Sequence, residues 1–326
     1  MILKALINLP KNTFWWQTMA NYICIDSGTT NTRITLLQNG EILETLKYRC
    51  GTKGSIDVLK ETLKNGINDI LTKNNLSECD IKRIIASGMI TSELGLVSLP
   101  HITAPVGLSE LNNSLYEEAF PEISQIPFVF IRGVKVESHD YVNADMMRGE
   151  EAEIMGIDNG EGLYILPGSH CKIIKIDNFG RITDFKTTLT GEMLNCLSSD
   201  TILKESLGDL SGEIDNEYLF KGLKHAKEQG INQALFKVRV IKNLFGGSNS
   251  QVLGFFMGAV LCDEVEYVMS QKAEKIVIGG NKILREPLSV ILKKLTNAQV
   301  ITLTDKEVEK SVTIGQIKIF EYKNKG

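Results

Sequence analysis

The feature that most limits what this chain can become is an internal repeat that needs no gap. ICIDSGTTNTRITLLQNGEILETLK lines up with YILPGSHCKIIKIDNFGRITDFK so that Gly28 falls on Gly168 and Gly40 on Gly180, an offset of 140 at both positions. Each copy reads strand, Gly-Ser/Thr turn, alternating strand, glycine turn, strand. Any two β-meanders with glycine turns share some of this character, but the common register argues for a genuine duplication. A duplicated unit dictates architecture, so the expectation is two similar lobes, each presenting a hydroxyl-bearing glycine turn to a cleft between them. Such turns gather backbone N–H groups, which hold phosphate oxygens without burying a charged side chain. One nucleotide polyphosphate gripped from both sides is the ligand this predicts.

The rest of the composition agrees with two domains of an α/β enzyme. The chain has 326 residues, 43% of them apolar, which is enough for a core in each half. The 36 Lys plus Arg against 40 Asp plus Glu leave a net charge of -4 and no basic excess for nucleic acid. Six cysteines are scattered without a CxxC pair, which predicts free thiols and a cytoplasmic protein rather than a disulfide or zinc framework. No apolar run approaches the roughly 18 residues of a membrane span. Residues 1–19, MILKALINLPKNTFWWQTM, read as an upstream extension with Met19 as the true start, a membrane-touching Trp15/Trp16 peptide being the less favoured account.

Along the chain, Ser55 is placed to cap a helix running to about Leu71, where Leu59, Leu63, Ile67 and Ile70 recur at helical spacing. MMRGEEAEIMGI, Met146 to Ile157, reads as a helix. Most of the chain from Thr190 to Met269 reads as helical. There follow a strand KIVIG, the pair Gly279-Gly280, a helix from about Ile283, a strand AQVITL and a final helical segment. Strands alternating with helices imply an α/β class.

The residues offer phosphoryl-transfer chemistry. Asp26 ends a buried strand and suits a metal-bound water, Gly28 permits close backbone approach, and Thr29 and Thr30 can donate to phosphate. In the second turn Gly168, Ser169 and His170 repeat the arrangement, and Lys172 either adds charge to the phosphates or is merely exposed on an alternating strand. Gly279 and Gly280 could let an adenine or ribose lie against backbone, although glycine turns serve packing throughout α/β proteins. Asp145, Arg148, Glu150 and Glu151 lie just before or at the start of a helix, where the dipole favours carboxylates and an arginine can hold an anion. Asp145 is the first choice for the base and Glu150 the second. The signatures GxxxxGK[ST], HExxH and GxSxG are absent.

With DSGTTNTR, the matched PGSHCK turn and the later IGG, the chain resembles the superfamily of acetate and sugar kinases, the heat-shock chaperone ATPase and actin. Within it, IDSGTTNTR, SGMITSELG, MMRGEE, YILPGSHCK and TLTGE, in this order over nearly all of residues 20–326, resemble the 2-dehydro-3-deoxygalactonokinase family. That resemblance implies two ribonuclease-H-like (actin-like ATPase) domains with duplicated βββ units around a central cleft. Residues 20–145 would form the N-terminal, sugar-acid-side domain, with the helix at 305–326 a candidate to complete it, and 146–304 the nucleotide-side domain. It implies ATP- and Mg²⁺-dependent phosphorylation of the 6-hydroxyl of 2-dehydro-3-deoxy-D-galactonate, with Asp26, Gly28, Thr29 and Thr30 in the first phosphate loop and Gly168, Ser169, His170 and Lys172 in the second. Arg148, Glu150 and Glu151 would lie at the cleft. Ser87, Gly88, Met89 and Ser92 would join Glu151 and Arg33 on the sugar side, with Arg33 and Arg148 as candidates for the substrate carboxylate. The chain departs from the family pattern at Leu96, where a tryptophan is usual, and at Thr91, where a glycine is common. Leu96 either opens a pocket or repacks it. A kinase for another small sugar or sugar acid and a non-catalytic nucleotide-dependent regulator are the alternatives.

Overall fold

A computed structural model describes residues 20–157 and 159–323, so the expectation for residues 1–19 lies outside the described residues. The chain runs β1 (Asn21–Ser27), β2 (Thr32–Gln38), β3 (Glu41–Tyr48), α1 (Ile56–Lys73), β4 (Ile81–Gly88), β5 (Ile102–Thr103), α2 (Leu108–Asn113), β6 (Tyr116–Glu118) and β7 (Phe128–Phe130). It continues with β8 (Val134–Val136), β9 (Asp145–Met147), α3 (Glu150–Ile157), β10 (Gly162–Leu166), β11 (Cys171–Ile176), β12 (Ile182–Thr188), α4 (Thr190–Ser199) and α5 (Lys204–Leu207). The remainder is α6 (Asn216–Gln229), α7 (Ile231–Leu244), α8 (Asn249–Val260), α9 (Cys262–Gln271), β13 (Lys275–Ile278), α10 (Lys282–Leu295), β14 (Gln299–Thr302) and α11 (Asp305–Phe320).

Among the described residues these elements make two compact units, one within residues 20–99 and 115–131, the other within 100–114 and 132–323. The first is built on a sheet ordered β3-β2-β1-β4-β7-β6 and the second on a sheet ordered β12-β11-β10-β13-β14, with a small sheet β5-β8-β9 beside it in sequence. The two large sheets share one plan. Three antiparallel strands in sequence order are followed, on the far side of the first strand, by two parallel ones. The duplicated βββ unit of the ribonuclease-H-like fold is therefore present in both units, as the repeat requires. Central strands read as continuous apolar runs because both faces are covered: Ile23, Cys24 and Ile25 of β1 and Leu163, Tyr164 and Ile165 of β10 are all buried. β3 instead alternates exposed with half-buried residues at its sheet edge.

Each unit has its own core. In the first, Leu59, Leu63, Ile67 and Ile70 of α1 close over Ile23, Ile25, Ile34 and Leu36, and Ser55 caps the helix by accepting from Asp57 N at 3.2 Å. In the second, α6 to α10 pack with β10, β11 and β13.

One predicted helix starts later than its sequence pattern implies. Asp145, Met146 and Met147 form β9, paired with β8, and Met147 is buried in register with Val134. Gly149, at φ 116°, breaks the chain direction, and α3 begins only at Glu150. The glutamates then fold back onto the preceding N–H groups, which is what a helix start needs.

The helix carrying those glutamates is held from behind by α11 at a very short separation. A Cβ on Gly156 would lie 1.8 Å from the Ser311 carbonyl oxygen, and one on Gly315 would lie 1.7 Å from that of Ala152. Neither backbone can yield without shifting a helix. Gly315→Ala is expected to cost about 1–3 kcal/mol by overpacking, lowering the melting temperature by about 2–4 °C per kcal/mol. Thermal unfolding followed by circular dichroism checks it; an unchanged melting temperature contradicts the packing described.

Candidate functional site

In the first unit the site is assembled at the ends of parallel strands. β1 lies between β2 and β4, so its register sets Asp26 opposite both Arg33 and Ser87, and Ser27 opposite Gly88. Four predicted positions from three strands are thereby brought together. Arg33 Nη1 donates to Asp26 Oδ2 at 2.9 Å. Desolvation pushes the Asp26 carboxyl up despite the opposing pull of Arg33. Past Ser27 the chain turns, with Gly28 N donating to Asn31 O at 2.9 Å, and leaves Thr29 and Thr30 exposed. Beyond β4, Met89 opens a single tight turn that the Thr91 hydroxyl closes on Gly88 O at 3.0 Å and the Ser92 hydroxyl on Met89 O at 2.6 Å. Thr91 thus supplies a local hydrogen bond. Leu96 is half-buried and packs against the core of this unit.

In the second unit a denser polar cluster forms. Asp145 accepts from Thr187 N at 2.8 Å through Oδ2, and from the Thr187 hydroxyl at 2.8 Å and Met146 N at 2.7 Å through Oδ1. Lys172 is 4% exposed and donates to Met146 O at 2.8 Å and Thr187 Oγ1 at 2.7 Å. The reading of Lys172 as a surface lysine is therefore overturned: it ties β11 to β9 and β12 from inside. Glu150 accepts from Arg148 N at 3.1 Å, and Glu151 takes Gly149 N on both carboxyl oxygens at 2.8 Å.

The electrostatics of this cluster follow from burial. Glu151 has no exposed surface, and desolvation, with the neighbouring Glu150 charge, drives its pKa up to about 8 against the pull of its N–H bonds and Arg148. Burial also raises Glu150, while Lys172 and His170 favour its ionised form. Arg148 Nη2 lies 3.4 Å from His101 Nδ1. Desolvation and the cations Arg148, Lys135 and Lys172 lower His101 to about 4, so at neutral pH the ring is uncharged and can accept from the guanidinium.

The second glycine turn joins this unit's other predicted positions. Asn281 N donates to Pro167 O at 2.6 Å and Gly279 N to Ile165 O at 2.9 Å. Gly280 sits at φ 66°, and a Cβ there would lie 2.2 Å from Pro167 O, so the Gly279-Gly280 pair is seated directly against the turn. Ser169 and His170 are exposed at its tip, with His170 Nε2 3.4 Å from Glu192 Oε1.

Sequence reasoning gave no role to Gly51, Gly191, His101 or Thr187, although Gly191 lies in the TLTGE segment. For the two glycines the signal was present, since they too are 140 positions apart. A Cβ on Gly51 would lie 2.5 Å from Gly28 O, and one on Gly191 would lie 1.9 Å from Gly168 O. Each glycine turn is thus braced by a glycine following the third strand of its copy. His101 and Thr187 carried no signal in isolation: Thr187 reaches the cluster as the cross-strand partner of Lys172, and His101, just before β5, through its contact with Arg148. Among the described residues, no three His, Cys, Asp or Glu are grouped to hold a metal ion.

The profile of the family described as 2-keto-3-deoxy-galactonokinase matches residues 26–313. The chain belongs to this family. Its members are kinases, so the chain is a sugar-acid kinase, an ATP-using enzyme. The 2-dehydro-3-deoxygalactonokinase of Escherichia coli (strain K12) is 28% identical over 282 residues, 82% of this chain and 88% of that protein. A crystal structure from Sinorhizobium meliloti, named provisionally as a 2-dehydro-3-deoxygalactonokinase, superposes with a TM-score of 0.70 at 20% identity, over 90% of this chain and 97% of that one. Component A of (R)-2-hydroxyglutaryl-CoA dehydratase from Acidaminococcus fermentans shares the fold at a TM-score of 0.51 and 14% identity, over 93% and 97% of the two chains. Among the described residues no helix is long and apolar enough to cross a membrane.

The raised Glu151 carboxyl makes a prediction about this kinase's stability. Its folded pKa of about 8 lies above the unfolded value of 4.5. The folded state therefore holds the extra proton, and the stability this contributes is full below 4.5 and is lost as pH rises through about 8. The slope is at most about 1.4 kcal/mol per pH unit for one proton. Urea unfolding between these limits should show wild type losing stability relative to Glu151→Gln; parallel profiles contradict it.

Proposed function

We propose that the enzyme transfers the γ-phosphoryl group of ATP to the 6-hydroxyl of 2-dehydro-3-deoxy-D-galactonate, giving the 6-phosphate and ADP. The observation that carries this reading at residue level is the Glu150/Glu151 pair at the start of α3, with Arg148 and Lys172 beside it. The family membership and the name of the Escherichia coli relative supply the substrate.

Glu150 is the proposed base. Asp145 has both oxygens engaged by Thr187 and Met146, which suits it to orienting Thr187 and shifts the preference to Glu150. Glu150 takes the proton of the 6-hydroxyl as that oxygen bonds to phosphorus and the bond from phosphorus to the ADP oxygen breaks. A raised pKa makes it a better proton acceptor, and the Lys172 charge keeps it ionised enough to act. Glu151, protonated at neutral pH, spares the pair a second negative charge.

Arg148 is the proposed partner of the substrate carboxylate, with His101 steadying its guanidinium; Arg33, engaged with Asp26, is the second candidate. Ser87, Gly88, Met89 and Ser92 are proposed on the sugar side. The turns Gly28–Thr30 and Gly168–His170 are proposed to hold phosphate oxygens, with Gly279 and Gly280 at the nucleoside. Asp26 offers the hard oxygen that suits a water-held Mg²⁺, which when bound neutralises phosphate oxygens. Work in the cytoplasm is part of this reading, supported by six free cysteines and by the ATP consumed.

ADP release measured over a panel of 2-keto-3-deoxy sugar acids tests the reaction: turnover on the galactonate is expected, and none on any hexonate refutes it. Glu150→Gln should lower kcat by about 10² to 10⁴ with both KM values little changed, and Asp145→Asn should cost less. The reverse order reassigns the base.

A further inference from the structure

One buried carboxyl of the second unit stands outside this chemistry. Glu264, in the first turn of α9, has no exposed surface, and among the described residues its Oε2 has no hydrogen-bond partner. Its Oε1 is in hydrogen-bonding contact with the hydroxyls of both Thr188 and Thr190. Those hydroxyls are themselves 2.8 Å apart. Both hydroxyls donate to Oε1, and the three oxygens form a small ring through which this one carboxyl oxygen holds the end of β12 to the start of α4. Burial pushes the carboxyl up, and the two threonine hydrogen bonds pull it down.

The ring adjoins the second glycine turn. Thr188 ends β12 and Thr190 opens α4. The next two residues brace the turn: Gly191 is pressed against Gly168 O, and Glu192 N donates to Ser169 O at 2.9 Å. Fixing Thr190 thus fixes the backbone on which Gly168 and Ser169 rest.

We propose that Glu264 is the positioning residue of the Gly168–His170 turn, holding Thr188 and Thr190 and through them the α4 start that sets the turn for nucleotide phosphate. The proposal rests on the reading of that turn as a phosphate site. A purely structural carboxyl would change folded yield and melting temperature. A positioning one changes ATP binding selectively.

Steady-state kinetics of the full chain, with ATP and sugar acid varied separately, test it. Glu264→Leu opens the ring and should raise KM for ATP about tenfold, leaving kcat and the sugar-acid KM within about twofold. Glu264→Gln keeps a side-chain oxygen that can accept from both hydroxyls and should stay within about twofold of wild type. Thr190→Val should reproduce the Glu264→Leu effect and replaces it should that variant fail to fold, while Thr190→Ser should not. Ser169→Glu, a charge at the exposed tip of the turn, reports on the underlying reading. If it raises KM for ATP while Glu264→Leu and Thr190→Val do not, the Glu264 assignment alone is overturned. If Ser169→Glu leaves KM for ATP unchanged, the phosphate reading falls and takes the proposal with it. Glu264→Gln as damaging as Glu264→Leu shows that an accepting oxygen at this place is not what positions the turn and also overturns it.

Discussion

Each unit depends on a backbone contact that admits no side chain: the carbonyl of a turn glycine pressed against a second glycine just past the third strand. Gly51 meets Gly28 O in the first copy and Gly191 meets Gly168 O in the second. The contact fixes a turn from outside, through atoms that have no rotamers to lose. A loop meant to present N–H groups to an anion gains from being rigid before the anion arrives, because ordering it on binding would subtract from affinity. The first turn gains two more restraints, since Thr52 N and Lys53 N donate to Gly28 O and Thr29 O at 3.1 and 2.9 Å. In the second, the matching donor is Glu192 N on Ser169 O.

What surrounds the two turns has diverged. The first follows a strand ending in Asp26, whose carboxyl meets Arg33. The second follows Pro167 and has no carboxylate at the matching place; its support comes from Gly280, Asn281 and the Thr188–Thr190–Glu264 ring behind it. Duplication thus preserved the backbone device and left the side chains free to specialise, one toward the Asp26–Arg33 ion pair and the other toward the Thr188, Thr190 and Glu264 contacts. The carboxylates suited to proton transfer belong to neither copy of the repeat. They sit at the start of α3, whose position is set by the glycine contacts with α11.

The parts legible in the sequence were those fixed by local periodicity and by the repeat. The strands of both copies, α1 with its Ser55 cap, and the turns at Gly28 and Gly168 all follow from patterns a few residues long. The boundary of α3 was not legible, because Met146 and Met147 fit a helical pattern as well as a strand. Only the pairing of β9 with β8, strands about ten residues apart in sequence, and the backbone reversal at Gly149 decide between them. Lys172 shows the same limit for a side chain: alternation places it on one face of β11, but whether that face is wet depends on β9, contributed by a different stretch of chain. His101, Thr187 and Glu264 gave no signal, since a lone polar residue acquires meaning only from what the fold sets beside it.

The same reasoning bears on Thr91 and Leu96. The Thr91 hydroxyl has a partner in Gly88 O, and Leu96 packs against the core of the first unit. Both side chains are held by contacts local to that unit, while Asp26, Ser87 and Gly88 are grouped by strand register, so the polar groups do not depend on what fills the neighbouring segment.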